Sequence, residues 1–326
     1  LLFCMTGVGA GNATRELAIL RELESLGPCE IHLAAQGNAR RILQEFYPTT
    51  GLHEVSYGSA EDFSAVAMMR ANADFPLRFW RNMKLLERLM RRFQPNLVLA
   101  DSDFYCLRPA RKLGLRLVSL NNSAVVVETI KEMGTLPKNC RASYQYIEKT
   151  DYWLQRRYPQ RVICPTLRKQ PGLPRKFVQV PPLVRPEIQP LAAPGEEIVV
   201  LTGGSGIDAQ NIDLRVLTEQ QVRVLGTPVP KTPPGTNQVG FTLDVKEHLA
   251  RAKVLVVQGG FSSVSEAAAL RIPTVVIPIA NHAEQWVNGK MIEELGIGLS
   301  SPSPAEAGRT VQAVLDDYER YLEGAR

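Results

Sequence analysis

The chain has 326 residues, 44% of them hydrophobic and 22% charged, which allows two ordinary domains with sizeable cores and excludes a disordered chain. No stretch approaches the about 20 consecutive apolar residues that cross a bilayer, and no signal-peptide pattern heads the chain. The formal net charge of +5 is uneven: residues 1–170 carry 24 Lys and Arg against 16 Asp and Glu, the rest 14 against 17.

The first apolar run, Leu1 to Met5, opens into GVGAGNATR (residues 7–15) and a helical pattern in which Leu17, Leu20, Leu23 and Leu26 recur at helical spacing. Asn12 or Thr14 is expected to cap that helix. Further strands are expected at 30–35, 53–57, 96–100 and 116–120, with amphipathic helices between them. Continuous apolar strands separated by helices imply a parallel sheet covered on both faces, with right-handed crossovers. Residues 68–93 hold seven basic and two acidic side chains among Phe75, Leu77, Phe79, Trp80 and Met83. The bland account is a helix covering the sheet, with Leu85, Leu86 and Leu89 inward. The sharper one is an amphipathic element on a membrane surface. Nucleic acid is the weakest account, because no recognition motif accompanies the charge.

Prolines crowd between Pro165 and Pro194, which reads as an interdomain linker enclosing one strand, Phe177 to Val180. The alternation then restarts with strands at 197–206 (EIVVLTGGSG), 221–226, 237–241, 254–260 and 274–279. The expected architecture is α/β: two Rossmann-like doubly wound parallel-sheet domains facing across a cleft. The first covers residues 1–170, the linker 171–195 and the second 196–326, with the last helix free to pack back on the first domain. In such sheets ligands bind beyond the carboxyl ends of the strands.

Gly7-x-Gly9 after a strand opens like a dinucleotide fingerprint, but position 12 is Asn and the second strand ends without the acidic residue that holds a ribose. A nicotinamide enzyme is therefore not expected. The informative stretch is residues 256–298, VVQGGFSSVSEAAALRIPTVVIPIANHAEQWVNGKMIEELGIG. A buried strand ends in Gly259-Gly260, and a helix is expected from Ser262 or Ser263. The amides and dipole of such a helix start offer a diphosphate site. Glu266, one turn in, can accept bonds from ribose hydroxyls, and Glu284, Gln285 and Asn288 open another helix that can face a sugar. Against this, Ser263-x-x-Glu266 is also a capping box.

This stretch resembles the donor-binding region of the GT-B UDP-glycosyltransferase superfamily, which reads roughly GG-x-x-S-x-x-E-A, G-x-P, then P-x-x-x-x-Q-x-x-N. Its counterparts here are Gly259, Gly260, Ser263, Glu266, Ala267, Pro273, Pro278, Gln285 and Asn288. The resemblance is nearest to the peptidoglycan GlcNAc transferase branch and its bacterial and archaeal relatives, and it extends weakly over the chain through GVGAGNATR, PNLVLADSDF and TGGSG. It implies that Gly203, Gly204 and Ser205 lie near a donor diphosphate and that the backbone at Phe241 meets the nucleobase. Gly260, Ser262 and Ser263 would hold phosphate oxygens, Glu266 the ribose, and Glu284 with Gln285 the donor sugar. The loop Gly9, Ala10, Gly11 would face the acceptor.

The implied function is an inverting, metal-independent transfer from a UDP-sugar to a hydroxyl acceptor, small or lipid-linked. No cofactor is needed; the UDP-sugar is the substrate. The implied setting is cytoplasmic, at the inner membrane face if residues 68–93 touch lipid. Two departures stand out. Asn12 occupies the position of the family His, a proposed general base, and Asn has no useful proton affinity. Asp101, Asp103 and Glu128 are the substitutes, each also readable as a solvated or capping residue. Arg271 stands where relatives prefer Gly, which alters a helix end. Asp101-Ser102-Asp103 also spells a DxD cation motif, but metal is not expected: the five cysteines are scattered and the four histidines isolated. Because of Asn12, two other classes stay open, a non-catalytic nucleotide-sugar binder or subunit and a nucleotide-sugar hydrolase or epimerase.

Overall fold

The structure is a computed structural model that describes residues 1–6, 10–54, 74–202, 209–242 and 244–326, with residues 10–14 by their backbone alone. It divides into two compact units, Leu1–Glu128 with Gln145–Pro181 and Thr129–Tyr144 with Pro182–Arg326.

The first unit is built on a seven-stranded parallel sheet in the order β3-β2-β1-β4-β5-β6-β7. Its strands are β1 (Leu2–Met5), β2 (His32–Ala35), β3 (Thr49–Gly51), β4 (Val98–Asp101), β5 (Leu117–Leu120), β6 (Arg161–Pro165) and β7 (Phe177–Val180). The principal helices are α1 (Ala10–Ser25), α2 (Gly37–Leu43), α3 (Phe75–Phe93), α4 (Leu107–Lys112), α5 (Ser123–Met133), of which Thr129–Met133 is assigned to the second unit, and α6 (Lys149–Arg157). β1 is buried at every position because helices cover both faces. Leu2 and Cys4 meet Leu86 and Met90 of α3 and Leu107 of α4, while Phe3 and Met5 meet Leu20 of α1 and Leu43 of α2. Each such large apolar side chain contributes roughly 1.5–3 kcal/mol on burial.

Three sequence expectations shift here. The strand expected at 53–57 lies earlier, at Thr49–Gly51, where β-branched threonines pair with Leu33–Ala35. The backbone of His53 instead bonds both ends of the buried Asn82 amide, at 2.8 and 3.0 Å; residues 55–57 fall outside the described residues. The strand expected inside the linker is β7, paired to β6 from Val162↔Phe177 to Pro165↔Val180, so the first unit runs on to Pro181. And α1 already includes Asn12 and Thr14, so neither precedes the helix as a cap.

The second unit carries a six-stranded parallel sheet, β10-β9-β8-β11-β12-β13. The strands are β8 (Glu197–Leu201), β9 (Val222–Leu225), β10 (Asn237–Gly240), β11 (Ala252–Gln258), β12 (Thr274–Ile277) and β13 (Gly298–Ser300). Its longer helices are α7 (Phe261–Leu270), α8 (Ala283–Glu294), α9 (Ala307–Asp316) and α10 (Tyr318–Ala325). Ile198, Val200, Val254, Val256, Val275 and Ile277 form its core with Val311, Val314 and Tyr321. The last helix therefore packs on the second sheet; Tyr318 also donates its hydroxyl to the Lys253 carbonyl at 3.2 Å.

Both sheets reverse their winding once, between β1 and β4 in the first and between β8 and β11 in the second. The carboxyl ends flanking such a reversal leave a crevice where ligands bind in open α/β sheets. The loops in question are those after β1, β4, β8 and β11. Among the described residues these segments include DSDF after β4 and Gly259-Gly260 after β11, both singled out by sequence; residues 7–9 and 203–206 lie outside the described residues.

Candidate functional site

In the second unit the chain leaves β11 through Gly259 and Gly260 and enters α7 at Phe261, one or two residues before the expected start. Gly259 is required: a Cβ there would come within 2.7 Å of the Gln285 carbonyl oxygen. Gly260 occupies the N-cap position in an extended conformation, and no side chain caps the helix. The capping-box account of Ser263 and Glu266 therefore fails. The first α7 amides lack acceptors within the helix, so the turn presents N–H groups and the positive end of a dipole.

Glu266 is engaged elsewhere. Arg185, in the Pro-rich stretch after β7, donates from Nε to Oε1 at 2.8 Å and from Nη2 to Oε2 at 3.0 Å. Both residues are nearly closed to solvent, at 7% and 9% exposure. This is a bidentate buried ion pair, the strong form of the contact. A carboxylate has about four lone-pair positions, so two remain for hydroxyl donors. Arg185 lies in a stretch that the sequence marks only as a Pro-rich linker. The one available signal was a single arginine inside the apolar, proline-rich PPLVRPE.

Gln285 and Asn288, on α8, tie two strand-end turns together. Gln285 accepts the Ile279 amide at 2.9 Å, beyond β12, and Asn288 donates to the Gly259 carbonyl at 2.8 Å. Asn288 is 1% exposed, which fits support of the glycine turn and not the sugar-facing role expected for it. Glu284 lies in the first turn of α8, whose Ala283 amide donates to the Ser143 hydroxyl at 3.2 Å. Phe241 follows β10 and is exposed. Gly203, Gly204 and Ser205 lie outside the described residues.

In the first unit, Asp101 ends β4 and Asp103 follows it, with Ser102 between them at φ +52°. A left-handed conformation is costly for serine, and such strain gathers at functional turns. Arg15 of α1 donates one nitrogen to both Asp101 oxygens, at 2.8 and 2.6 Å. Asp103 is buried and accepts the Cys106 amide at 2.8 Å, as a cap for the turn into α4. Burial pushes its carboxyl up to about 6, against the lowering effect of the Cys106 amide. Both carboxylates of the DxD motif are thus already engaged by the protein. Ala10, Gly11 and Asn12 form the first turn of α1, Gly9 lies outside the described residues, and Glu128 sits half-buried within α5.

Two parallel sheets, each reversing its winding once, define a two-domain GT-B glycosyltransferase fold. The model of glycosyl transferase family 1 matches residues 1–315, and the chain belongs to that family. It is a glycosyltransferase. The chain is similar to an uncharacterized glycosyltransferase of Methanopyrus kandleri, with 23% identity over 320 residues and 91% of each chain covered. It is also similar to the UDP-N-acetylglucosamine–N-acetylmuramyl-(pentapeptide) pyrophosphoryl-undecaprenol N-acetylglucosamine transferase of Rhizobium leguminosarum bv. trifolii. That identity is 24% over 330 residues, covering 89% of this chain and 80% of the relative. Among solved structures, MurG of Acinetobacter baumannii superposes with a TM-score of 0.63 at 18% identity, covering 99% of this chain and 93% of that one. UGT2 of Phytolacca americana gives 0.68 at 14% identity, covering 100% and 93%.

Proposed function

We propose that the protein transfers a sugar from a UDP-sugar to a hydroxyl acceptor with inversion and without a metal ion. The observation that carries this reading is the Gly259-Gly260 turn opening an uncapped α7, with the buried Glu266 one turn along. The α7 amides, joined by those of Gly203 and Gly204, would stabilise the departing diphosphate, and Glu266 would accept the ribose hydroxyls. The Rhizobium relative is named for a UDP-sugar donor, which supports uridine here. Since Asn12 cannot take a proton and Asp101 is committed to Arg15, we assign the acceptor's proton to Asp103. Its proton affinity, lifted by burial, lies near what a base at neutral pH requires.

The test is calorimetric titration with UDP, CDP, GDP and TDP. Selective UDP binding that weakens by about 1–3 kcal/mol in Glu266→Ala is the expected result, the cost of an unmatched buried polar group. Failure of every nucleotide to bind the intact protein would overturn the donor assignment. UDP-GlcNAc incubated without an acceptor separates the alternatives: turnover there favours a hydrolase or epimerase.

We also infer that α3 touches an anionic membrane surface. Leu77 and Trp80 are about half exposed on the outer face of α3, and Arg81, Lys84 and Arg88 have no ion-pair partner among the described residues. Its inner face does what the bland account requires, burying Leu86 and Met90 with Leu85 and Leu89 against the core. Among the described residues no helix is long and apolar enough to cross a membrane. Sedimentation with anionic vesicles, reduced in Trp80→Ser, supports the contact; equal binding to zwitterionic vesicles refutes its charge component.

A further inference from the structure

We propose that Glu16 and Asp101 hold one proton between them, and that this acid–carboxylate pair, closed by Arg15, latches the start of α1 to the carboxyl end of β4. The latch positions the helical turn that carries Asn12, one turn before Arg15. It stands apart from the donor-site reading, which concerns the other unit.

Glu16 is completely buried, and neither of its carboxyl oxygens meets a hydrogen-bond donor among the described residues. A bare carboxylate in that position would lose its hydration with nothing in return, a cost the protein avoids by keeping the group protonated. Arg15 gives it no hydrogen bond; its Nη2 is held by both oxygens of Asp101, at 2.8 and 2.6 Å. Asp101 also accepts the Ser102 hydroxyl at 3.2 Å. Two acceptor-only carboxylates side by side cannot bond; one proton between them turns the same contact into an O–H···O bond.

The electrostatics agree. Burial first, then the charge of Asp101, raise Glu16 well above the ordinary carboxylate range, against the lowering effect of Arg15. Asp101 from β4 and Arg15 from α1 itself are the charged groups that face it. Residues 7–9, which lead into the helix, are Gly-Val-Gly and carry none. With one shared proton the trio is neutral. Loss of that proton leaves two buried carboxylates on one guanidinium, and the start of α1 is pushed from β4. Since the folded-state value is raised, the contribution is complete below the unfolded Glu value of about 4.3 and is lost as pH rises toward the folded value.

Glu16→Gln is the direct test, because the amide keeps the shape and a donor but has no proton to lose. Urea unfolding of the full chain is followed through Trp80 and Trp153, both in the first unit, in a Trp286→Phe background. Between the ordinary Glu range and the raised value, the parent's unfolding constant should rise about tenfold per pH unit relative to the variant. In parallel, ¹³C-carboxyl spectra of Glu-labelled parent should show one side chain protonated at neutral pH, and Glu16→Gln should lack that signal. Asp101→Asn should move it. Identical pH slopes, or every Glu ionised at neutral pH, would overturn the proposal. If Glu16→Gln does not fold, the parent's ¹³C titration decides alone.

Discussion

Arg185→Met should be among the most damaging single substitutions in the second unit. The residue is 7% exposed, and its guanidinium meets both oxygens of Glu266 at 2.8 and 3.0 Å. Methionine fills similar volume but leaves the Glu266 carboxylate buried without its cation. Removing one partner of a buried pair costs about 3–5 kcal/mol, far more than the pair contributes relative to apolar residues. Glu266→Gln, which strands the guanidinium, should cost less, since Arg185 also lies 4.0 Å from the half-exposed Glu187. The double variant should recover much of the loss, because no buried charge then remains. The assay is a double-mutant cycle by urea unfolding in a Trp80→Phe/Trp153→Phe background, so that Trp286 on α8 reports on the second unit alone. A coupling energy near 2 kcal/mol is expected. Two single losses each below about 1 kcal/mol that simply add would refute the reasoning, because the pair would then be solvated.

Other substitutions probe the same turns. Gly259→Ala should destabilise by about 1–3 kcal/mol through overpacking and abolish UDP binding, as its Cβ would meet the Gln285 carbonyl at 2.7 Å; calorimetry reads the second effect. Arg271, at φ +58° beyond α7, should gain up to about 1 kcal/mol on substitution by Gly, measured as a rise in Tm. Asp103→Asn keeps the cap acceptor for the Cys106 amide but removes a carboxyl raised to about 6. The parent's stability from this group is complete below about 3.9 and falls, by on the order of 3 kcal/mol, as pH rises through 6; the variant should lack that slope in pH-dependent unfolding. On the catalytic assignment the same variant should also stop sugar transfer while leaving UDP affinity unchanged.

Both sheets were legible because buried parallel strands are short continuous apolar runs. LLFCM, NLVLA and VLVVQ each stand out as apolar runs, with glycines marking where the first and last end. β6, RVICP, begins with an arginine and lies among prolines and cysteines; β13 is three residues long. Neither offered a run to find. β7 was seen, but nothing local says that Phe177 pairs with Val162 and so belongs to the first sheet. The glycine turn after β11 was likewise visible, while the reason for Gly259 was not, since the atom it avoids belongs to Gln285 on another helix.

The polar partners of the site were hidden for a different reason. Hydrophobic periodicity reports how deeply each position is buried, one residue at a time, whereas a buried charge is defined by the residue opposite it. Arg15 meets Asp101 across 86 positions, and Arg185 meets Glu266 across 81. In the local pattern Glu16 resembles any solvent-facing glutamate beside the apolar Leu17. It is fully buried beside Arg15, which meets Asp101 at the end of β4, and the neighbours of β4 are set by sheet order. The winding reversal that opens a crevice at the strand ends also brings the start of α1 to the end of β4. It thereby forces polar residues distant in sequence to satisfy one another at the place where chemistry is expected. Sequence motifs can locate such a place; the ionic pairs that hold it emerge only with the topology.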